Sequence, residues 1–352
     1  MHSLTHERHR VNGVTLHVAL QGEGPLVVLC HGFPGLGYSW RHQLPVLARA
    51  GWRAVAPDQR GYGRSDRPQP AQRYDADHVM GDMLGLLDAL GERTAVFVGH
   101  DFGAQQVCNL AVRHPERVAA VVIMSCPYDF DLAGRGGAGS RAIAAAGGGP
   151  FAVPGVRPSA AFAAVARQHF FHMHYFQDVG PAERELAAQP REFLLRLFHA
   201  LSGAGRLLDW SKFPSAGTGY LDVLAAAPPL PWSWLSEAEF EHYVEEYTHA
   251  GADAAFIGGL NSYRVADRNW ELGAAYANAD IHQPALFIAG ADDVVLKMLP
   301  ADALEVMRRR VPQLRDVVLV PQAGHFVQQE QPQAVNAALL RFLRSLQSSK
   351  AP

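Results

Sequence analysis

The most informative part of this chain is VFVGHDFGA, residues 96–104, in which an apolar strand runs directly into helical sequence across a tight turn. In such a turn the central residue, Asp101, takes a strained backbone conformation that leaves room only for small neighbours. Gly99, Gly103 and Ala104 supply those neighbours. The spacing is that of a nucleophile elbow, which exposes the central side chain at the end of a strand. An Asp that only caps the following helix is the alternative interpretation.

On both sides of this turn, apolar strand-like runs alternate with amphipathic helices, which predicts an α/β fold with a mostly parallel sheet flanked by helices. The predicted strands are VTLHVAL (14–20), PLVVLC (25–30), WRAVAP (52–57), TAVFVG (94–99), VAAVVIM (118–124), PALFIAG (284–290) and DVVLVP (316–321). The carboxyl ends of parallel strands are the edge where binding and catalytic sites assemble.

The alternation is interrupted by residues 130–275, which contain helical sequence and Gly-, Pro- and Ala-rich loops. Ser236 and Glu239 form a capping box that predicts the start of one helix in this insertion. We therefore predict a core domain of residues 1–129 and 276–352 and a helical cap domain of residues 130–275. A GxGxxG match at residues 134–139 does not follow a strand, so we interpret it as a hinge.

Composition excludes several classes of protein. Of the 352 residues, 48% are hydrophobic and 18% are charged, which is typical of a globular protein. The net charge is −3, and the chain has no basic run that would attract nucleic acid or a membrane surface. The first ten residues are polar and no stretch is long enough to span a membrane, so we expect a cytoplasmic protein.

A carboxylate at the centre of the elbow indicates a particular chemistry. The usual residue there is Ser, which attacks esters, whereas Asp101 can attack an electrophilic sp³ carbon and form an alkyl ester. The loop HGFP, residues 31–34, follows the strand PLVVLC, where this architecture places a second oxyanion donor. The backbone N–H groups of Phe33 and Phe102 are therefore the candidate oxyanion hole.

Two further polar residues follow predicted strands. Asp293 lies in the loop after PALFIAG, and His325 lies in the loop after DVVLVP. The order Asp101, Asp293, His325 is that of nucleophile, acid and base on three strand ends. Asp292 is the alternative acid. We interpret His100, next to the nucleophile, as structural.

Six motifs together closely resemble the epoxide hydrolases of the α/β-hydrolase superfamily, and the resemblance covers nearly the whole chain. They are residues 31–68, 99–104 (GHDFGA), 174–183 (HYFQDVGPAE), 261–272 (NSYRVADRNWEL), 290–296 (GADDVVL) and 323–326 (AGHF). The resemblance implies the α/β-hydrolase fold, with the helical cap inserted after the sixth core strand.

The resemblance also implies a role for each matching residue: Asp101 as nucleophile, His325 as base, Asp293 as its acid partner, and Phe33 and Phe102 as oxyanion donors. Tyr263 matches the second of two cap tyrosines that bind and protonate the epoxide oxygen. The position of the first tyrosine holds His172 instead, and His occurs there in some members. Tyr175 is an alternative donor, and a purely packing role for His172 is another. Because the reference pKa of His is near 6.5, the sequence predicts a pH-sensitive donor.

The function implied is hydrolysis of a hydrophobic epoxide to a vicinal diol, with the epoxide and water as partners and no metal, nucleotide or redox cofactor. A metal role for the histidines of residues 169–174 is a weaker interpretation. A haloalkane dehalogenase, which uses the same Asp-His-Asp triad, is the alternative enzyme, but that family typically has Trp at the position of Phe102. A catalytically silent ligand-binding protein is the alternative outside enzymes. The sequence is compatible with a monomer or a homodimer.

Overall fold

The computed structural model describes residues 3–128, 156–299 and 301–348, which form one eight-stranded sheet and its flanking helices. The strands are β1 (Thr5–Val11), β2 (Val14–Gln21), β3 (Leu26–Cys30), β4 (Arg53–Pro57), β5 (Ala95–His100), β6 (Val118–Met124), β7 (Ala285–Gly290) and β8 (Leu314–Val320). Their order across the sheet is β1-β2-β4-β3-β5-β6-β7-β8. The pairs β1/β2 and β2/β4 are antiparallel, and every other pair is parallel. The predicted mostly parallel α/β sheet is confirmed.

The edge strand β1 is the one strand that the sequence pattern does not predict. Its residues, THERHRV, are mostly polar and exposed. An edge strand with solvent on its faces needs no apolar alternation, because its backbone ladder with β2 holds it in place. With β1 counted, β6 is the sixth strand, and the chain leaves the sheet after it, as predicted.

The helices fall into two groups. Those attached to the sheet are α1 (Leu44–Arg49), α2 (Ala76–Ala89), α3 (Phe102–Arg113), α11 (Val294–Lys297), α12 (Ala303–Arg310), α13 (Val327–Glu330) and α14 (Pro332–Ser348). Those between β6 and β7 are α4 (Pro158–Ala166), α5 (His172–Tyr175), α6 (Pro181–Ala188), α7 (Pro190–Leu201), α8 (Glu237–Thr248), α9 (Ile257–Arg264) and α10 (Ala266–Gly273). Single 3₁₀ turns cover Gly37–Trp40, Ala71–Tyr74, Pro115–Arg117, Trp210–Lys212, Leu221–Val223, Ala252–Ala254 and Ala274–Tyr276.

Apolar side chains pack on both faces of the sheet. One face is covered by α2, α3 and α12, through residues such as Met83, Leu110 and Met307. The other is covered by α1 and α14, through residues such as Leu47 and Phe342. The inner strands β3, β5 and β7 are buried along their whole length, so they read as continuous apolar runs.

The helices between β6 and β7 pack over the carboxyl edge of the sheet. Phe33 and Phe326, both from loops at that edge, join the buried cluster of these helices, and the rings of Phe198 and Phe326 lie 5.0 Å apart. The predicted capping box is confirmed: Glu239 N donates to Ser236 Oγ at 3.3 Å, and Ser236 N donates to Glu239 Oε2 at 2.8 Å. The domain boundaries stay a prediction, and the GxGxxG match lies outside the described residues.

Candidate active site

Asp101 sits at the turn between β5 and α3 with a backbone φ of 57° and ψ of −120°, a region that residues other than glycine rarely adopt. The glycines beside it permit close packing. A Cβ on Gly99 would overlap the backbone of Gly103, and a Cβ on Gly103 would overlap the carbonyl of Cys30. The sequence prediction of a strained elbow flanked by small residues is therefore confirmed.

The Asp101 carboxylate is held by main-chain donors from both sides. Phe33 N donates to Oδ1 of Asp101 at 2.8 Å, and Phe102 N also bonds this carboxylate. Burial alone would raise the pKa of Asp101, but the hydrogen bond and charge of His325 and the amide of Phe102 outweigh burial, so the pKa lies below its usual value. The Asp101 carboxylate is therefore ionised at neutral pH, and both predicted oxyanion donors face it.

His325 lies between two carboxylates. Its Nδ1 is 3.2 Å from Oδ1 of Asp293, and its Nε2 is 3.6 Å from Oδ2 of Asp101. Burial lowers the pKa of His325, but the charge of Asp293 and the contact with Asp101 raise it to about 10. Asp293 is fully buried, whereas Asp292 is half-buried and pairs with Lys297 Nζ at 2.8 Å. The structure thus brings Asp293, and not Asp292, to the histidine.

The backbone of His325 is fixed by three contacts. Its carbonyl accepts from His100 Nε2 at 2.6 Å and from Ser125 Oγ at 3.1 Å, and its N–H donates to the carbonyl of Leu201 at 2.9 Å. Burial lowers the pKa of His100 to about 4, so this imidazole is neutral at pH 7 and donates through Nε2. His100 contacts the backbone of the histidine loop, in keeping with its structural interpretation.

Tyr263, on α9, lies on the opposite side of the site from the sheet. Its ring stands edge-on to that of Phe102, with 4.9 Å between centroids. Burial, together with the negative charge of Asp101, raises the pKa of Tyr263 well above its usual value. The phenol therefore keeps its proton at any working pH.

His172, the first residue of α5, lies beside Tyr263 in an aromatic cluster. Its ring centroid is 5.0 Å from that of Trp210, and it stacks on Tyr220 at 5.8 Å. The Nδ1 atom of His172 is buried without a hydrogen-bond partner among the described residues. Burial lowers the pKa of His172 to about 3. The prediction of a pH-sensitive donor is therefore wrong, because the apolar surroundings keep the imidazole neutral.

The hydroxyl of Tyr175, the alternative donor, does not point into the cavity over Asp101. Its hydroxyl donates to Oε2 of Glu185 at 2.7 Å. Among the described residues that line the cavity over Asp101, His172 and Tyr263 are present and Tyr175 is not. The structure therefore brings His172, and not Tyr175, to the site.

The space between these groups is a cavity of about 440 Å³. Asp101 and His325 form its floor, His172, Tyr220 and Tyr263 line it from above, and most of the remaining lining is apolar. Phe171 and Trp210 of the insertion also line the cavity. Phe170, Phe176, Trp232 and Trp234 belong instead to the buried cluster of the cap helices.

Two residues of the site are missed by the sequence analysis. Ser125 directly follows β6, so the strand-end criterion that selects Asp101 would also have selected it. Tyr220 lies in an irregular segment before Leu221–Val223, where no periodicity marks a residue that faces a site. The tertiary course of this irregular segment, and not a local sequence pattern, brings the ring of Tyr220 to the cavity.

A second cavity, of about 570 Å³, lies between the β1/β2 hairpin, Tyr38 and His242 of α8. Asp101 and His325 do not line it, so the smaller cavity is the candidate active site. Across residues 3–128, 156–299 and 301–348, no three His, Cys, Asp or Glu side chains are grouped so that they could hold a metal ion. In the same part of the chain, no helix has the length and hydropathy needed to cross a membrane.

A carboxylate at a strand-to-helix elbow, backed by a His and an Asp from two further strand ends, defines a member of the α/β-hydrolase class. A family model described as alpha/beta hydrolase fold matches residues 25–138. Epoxide hydrolase A from Mycobacterium tuberculosis (strain ATCC 25618 / H37Rv) is 42% identical over 342 residues, which are 96% of this chain and 96% of that protein. An epoxide hydrolase from Caballeronia sordidicola is 37% identical over 95% of this chain and 92% of its own length.

Among solved structures, epoxide hydrolase A from Mycobacterium thermoresistibile has a TM-score of 0.82 at 40% identity, covering 97% of this chain and 98% of that chain. The chain belongs to the epoxide hydrolase family, whose members are hydrolases that act on ether bonds. The resemblance found in the sequence is thereby confirmed.

Proposed function

We propose that this protein hydrolyses a hydrophobic epoxide to a vicinal diol through a covalent ester on Asp101. One observation carries the proposal: an ionised carboxylate faces two neutral donors, Tyr263 and His172, across a largely apolar cavity. A carboxylate can attack the sp³ carbon of a strained ring, and the ring oxygen then needs a proton from the opposite side.

Ring opening uses the two sides of the cavity together. An oxygen of Asp101 bonds to a ring carbon, the carbon–oxygen bond of the ring breaks, and the electron pair stays on the oxygen. That oxygen takes the phenolic proton of Tyr263. A neutral imidazole gives up its proton far less readily than a phenol, so His172 donates a hydrogen bond without proton transfer. Proton donation of this kind contributes about 10²–10⁴-fold.

Ester formation changes the charge around His325. In the free protein, Asp101 and Asp293 both favour the protonated imidazolium. The ester carries no charge, so the contribution of Asp101 disappears and the pKa of His325 falls. The histidine then releases one proton, and one proton returns to the phenolate of Tyr263, so the phenol that protonated the ring oxygen is restored. His325 is now a neutral base beside an ester.

Hydrolysis of the ester completes the cycle. His325 takes one proton from a water molecule, and the resulting hydroxide attacks the ester carbonyl of Asp101. The N–H groups of Phe33 and Phe102 stabilise the tetrahedral oxyanion, a contribution typically worth about 10²–10³-fold per donor. Collapse expels the product, which takes the second proton of the water. Asp101 is again ionised beside an imidazolium.

The haloalkane alternative is less well supported. A departing halide needs N–H donors, and the side chain that follows the nucleophile is the phenyl ring of Phe102. That ring packs on Tyr263, a donor suited to an oxygen anion. The proposal therefore assigns the cap donors to an epoxide oxygen.

The test is the intact mass of a His325→Gln variant after mixing with panels of aryl and alkyl epoxides and matched haloalkanes. Without the base, the ester on Asp101 should accumulate, with a mass increase equal to the whole epoxide. The matched control is Asp101→Asn, which should show no adduct. Adducts from haloalkanes alone would replace the proposal with a dehalogenase, and no adduct from either panel, together with no diol formed by the unmodified protein, would contradict both.

A further inference from the structure

The carboxylate of Glu330, the last residue of α13, accepts three main-chain N–H groups. Oε2 accepts from Gly203 N at 2.7 Å and from Gly324 N at 3.0 Å, while Oε1 accepts from Phe326 N at 3.0 Å. Gly324 and Phe326 are the two neighbours of His325, and Gly203 follows the cap helix α7. One side chain thus holds the peptide units on both sides of the general base and joins them to the cap.

The contact between these segments is close. A Cβ on Gly324 would overlap the backbone of Gly203 and Ser202, so the histidine loop and the end of α7 touch through their main chains. At the same contact, the N–H of His325 donates to the carbonyl of Leu201. The three amides at Glu330 therefore lie where the cap meets the loop that carries the base.

The direction of the His325 imidazole depends on this loop. Its Nε2 must reach a water near the ester carbonyl, and a displacement of about 1 Å at a reacting group can cost about 10²-fold in rate. His100 and Ser125 fix the carbonyl of His325. Among the described residues, the side chain that accepts from the neighbouring N–H groups of Gly324 and Phe326 is that of Glu330.

We infer that Glu330 is a positioning residue for the second half of the reaction: it seats the His325 loop against the cap and so aims the imidazole at the water that attacks the ester. The inference rests on the proposed function. It gives Glu330 no contact with the substrate and no part in ring opening, because Asp101, Tyr263 and His172 perform that step.

The kinetic test compares Glu330→Gln with the unmodified protein in single-turnover experiments that resolve ester formation from ester hydrolysis. Glutamine offers one acceptor oxygen where the carboxylate offers two, so at least one of the three amides loses its partner. We expect ester hydrolysis to slow by about 10- to 100-fold, with ester formation changed by less than about 2-fold. Equal slowing of both steps, or of neither, would overturn the inference.

The matched control is Glu239→Gln. Glu239 also joins the cap to the core through a carboxylate, since Arg41 Nε donates to its Oε1 at 2.8 Å, but it does not contact the histidine loop. General loosening of the cap would slow both variants alike. We expect hydrolysis of the ester by Glu239→Gln to stay within about 2-fold of the unmodified protein.

Amide hydrogen exchange tests the same inference without any substrate. We expect faster exchange at Gly203, Gly324 and Phe326 in Glu330→Gln and unchanged exchange there in Glu239→Gln. If the unmodified protein forms no ester with any epoxide, the proposed function fails, and unaltered exchange at the three amides would separately overturn the positioning role. Should Glu330→Gln fail to fold, Glu330→Asp, which keeps both oxygens on a shorter arm, is expected to show the same pattern with a smaller amplitude.

Discussion

The imidazole of His172 stands at 84° to the phenol ring of Tyr263, with 5.5 Å between the two ring centroids. The two rings belong to different cap helices, α5 and α9, and both line the cavity over Asp101. Because burial keeps both side chains neutral, each offers a proton on a polar atom without carrying a charge into the apolar pocket. This pair is the feature that a dehalogenase would not need.

His172→Phe should lower kcat/KM for an epoxide by about 10²-fold, because one of two hydrogen-bond donors to the ring oxygen is lost while the aromatic packing is kept. Since the pKa of His172 is about 3, we also expect no pH dependence from this residue between pH 5 and 9. Stopped-flow measurement of ester formation across that range checks both statements. If the rate of ester formation instead changed with an apparent pKa near 6.5, and His172→Phe abolished that change, the expected pH independence would be contradicted.

Tyr175→Phe should leave kcat unchanged within about 2-fold, because this hydroxyl is bound to Glu185 away from the cavity. The lost hydrogen bond should lower the free energy of unfolding by about 1 kcal/mol. Steady-state kinetics and urea unfolding of the same preparation separate the two effects. A large loss of kcat with little loss of stability would return Tyr175 to the role of donor.

The charge on His325 makes the stability of the protein depend on pH. Its pKa is about 10 in the folded protein, above the value near 6.5 expected when unfolded, so its stabilising contribution is complete below about pH 6.5 and is lost as the pH rises toward 10. We expect this contribution to fall by on the order of 2 kcal/mol between pH 6.5 and 8.5. Urea unfolding of the unmodified protein and of His325→Gln measures the difference. A difference that does not change with pH would show that the histidine is neutral in the free protein.

Gly32→Ala should slow ester formation by about 10²-fold or more, because the added Cβ would overlap the Asp101 carboxylate and displace the nucleophile. Gly35→Ala is a milder change in the same loop, since its Cβ would approach the carbonyl of Gly32 at 3.1 Å and no part of Asp101. Single-turnover kinetics of both variants check the prediction. Equal effects would point to general disturbance of the loop.

Much of the core and of the catalytic arrangement follows from local sequence. Each buried parallel strand is a continuous apolar run, and each ends in a short loop whose polar residue must lie at one edge of the sheet. That rule predicts Asp101, Asp293 and His325 before any coordinates, because all parallel strands present their carboxyl ends on the same side. It would also have found Ser125, which follows β6 in the same manner.

Local sequence predicts less about the cap and about the edge of the sheet. β1 has no apolar alternation because a strand at the edge of the sheet buries little side-chain surface. Tyr220 reaches the cavity, and Glu330 reaches Gly203, across segments that are far apart in the chain, and no periodicity marks such residues.

Local sequence is enough to predict the parallel sheet, the elbow and the chain order of Asp101, Asp293 and His325, since these depend on short-range pattern and on the common direction of the strands. The choice between His172 and Tyr175, and between a titrating and a neutral imidazole, needs the three-dimensional packing of the cap. The physical reason is that orientation and pKa depend on what packs around a side chain. For His172 those neighbours, Trp210, Tyr220 and Tyr263, come from parts of the cap far apart in the chain.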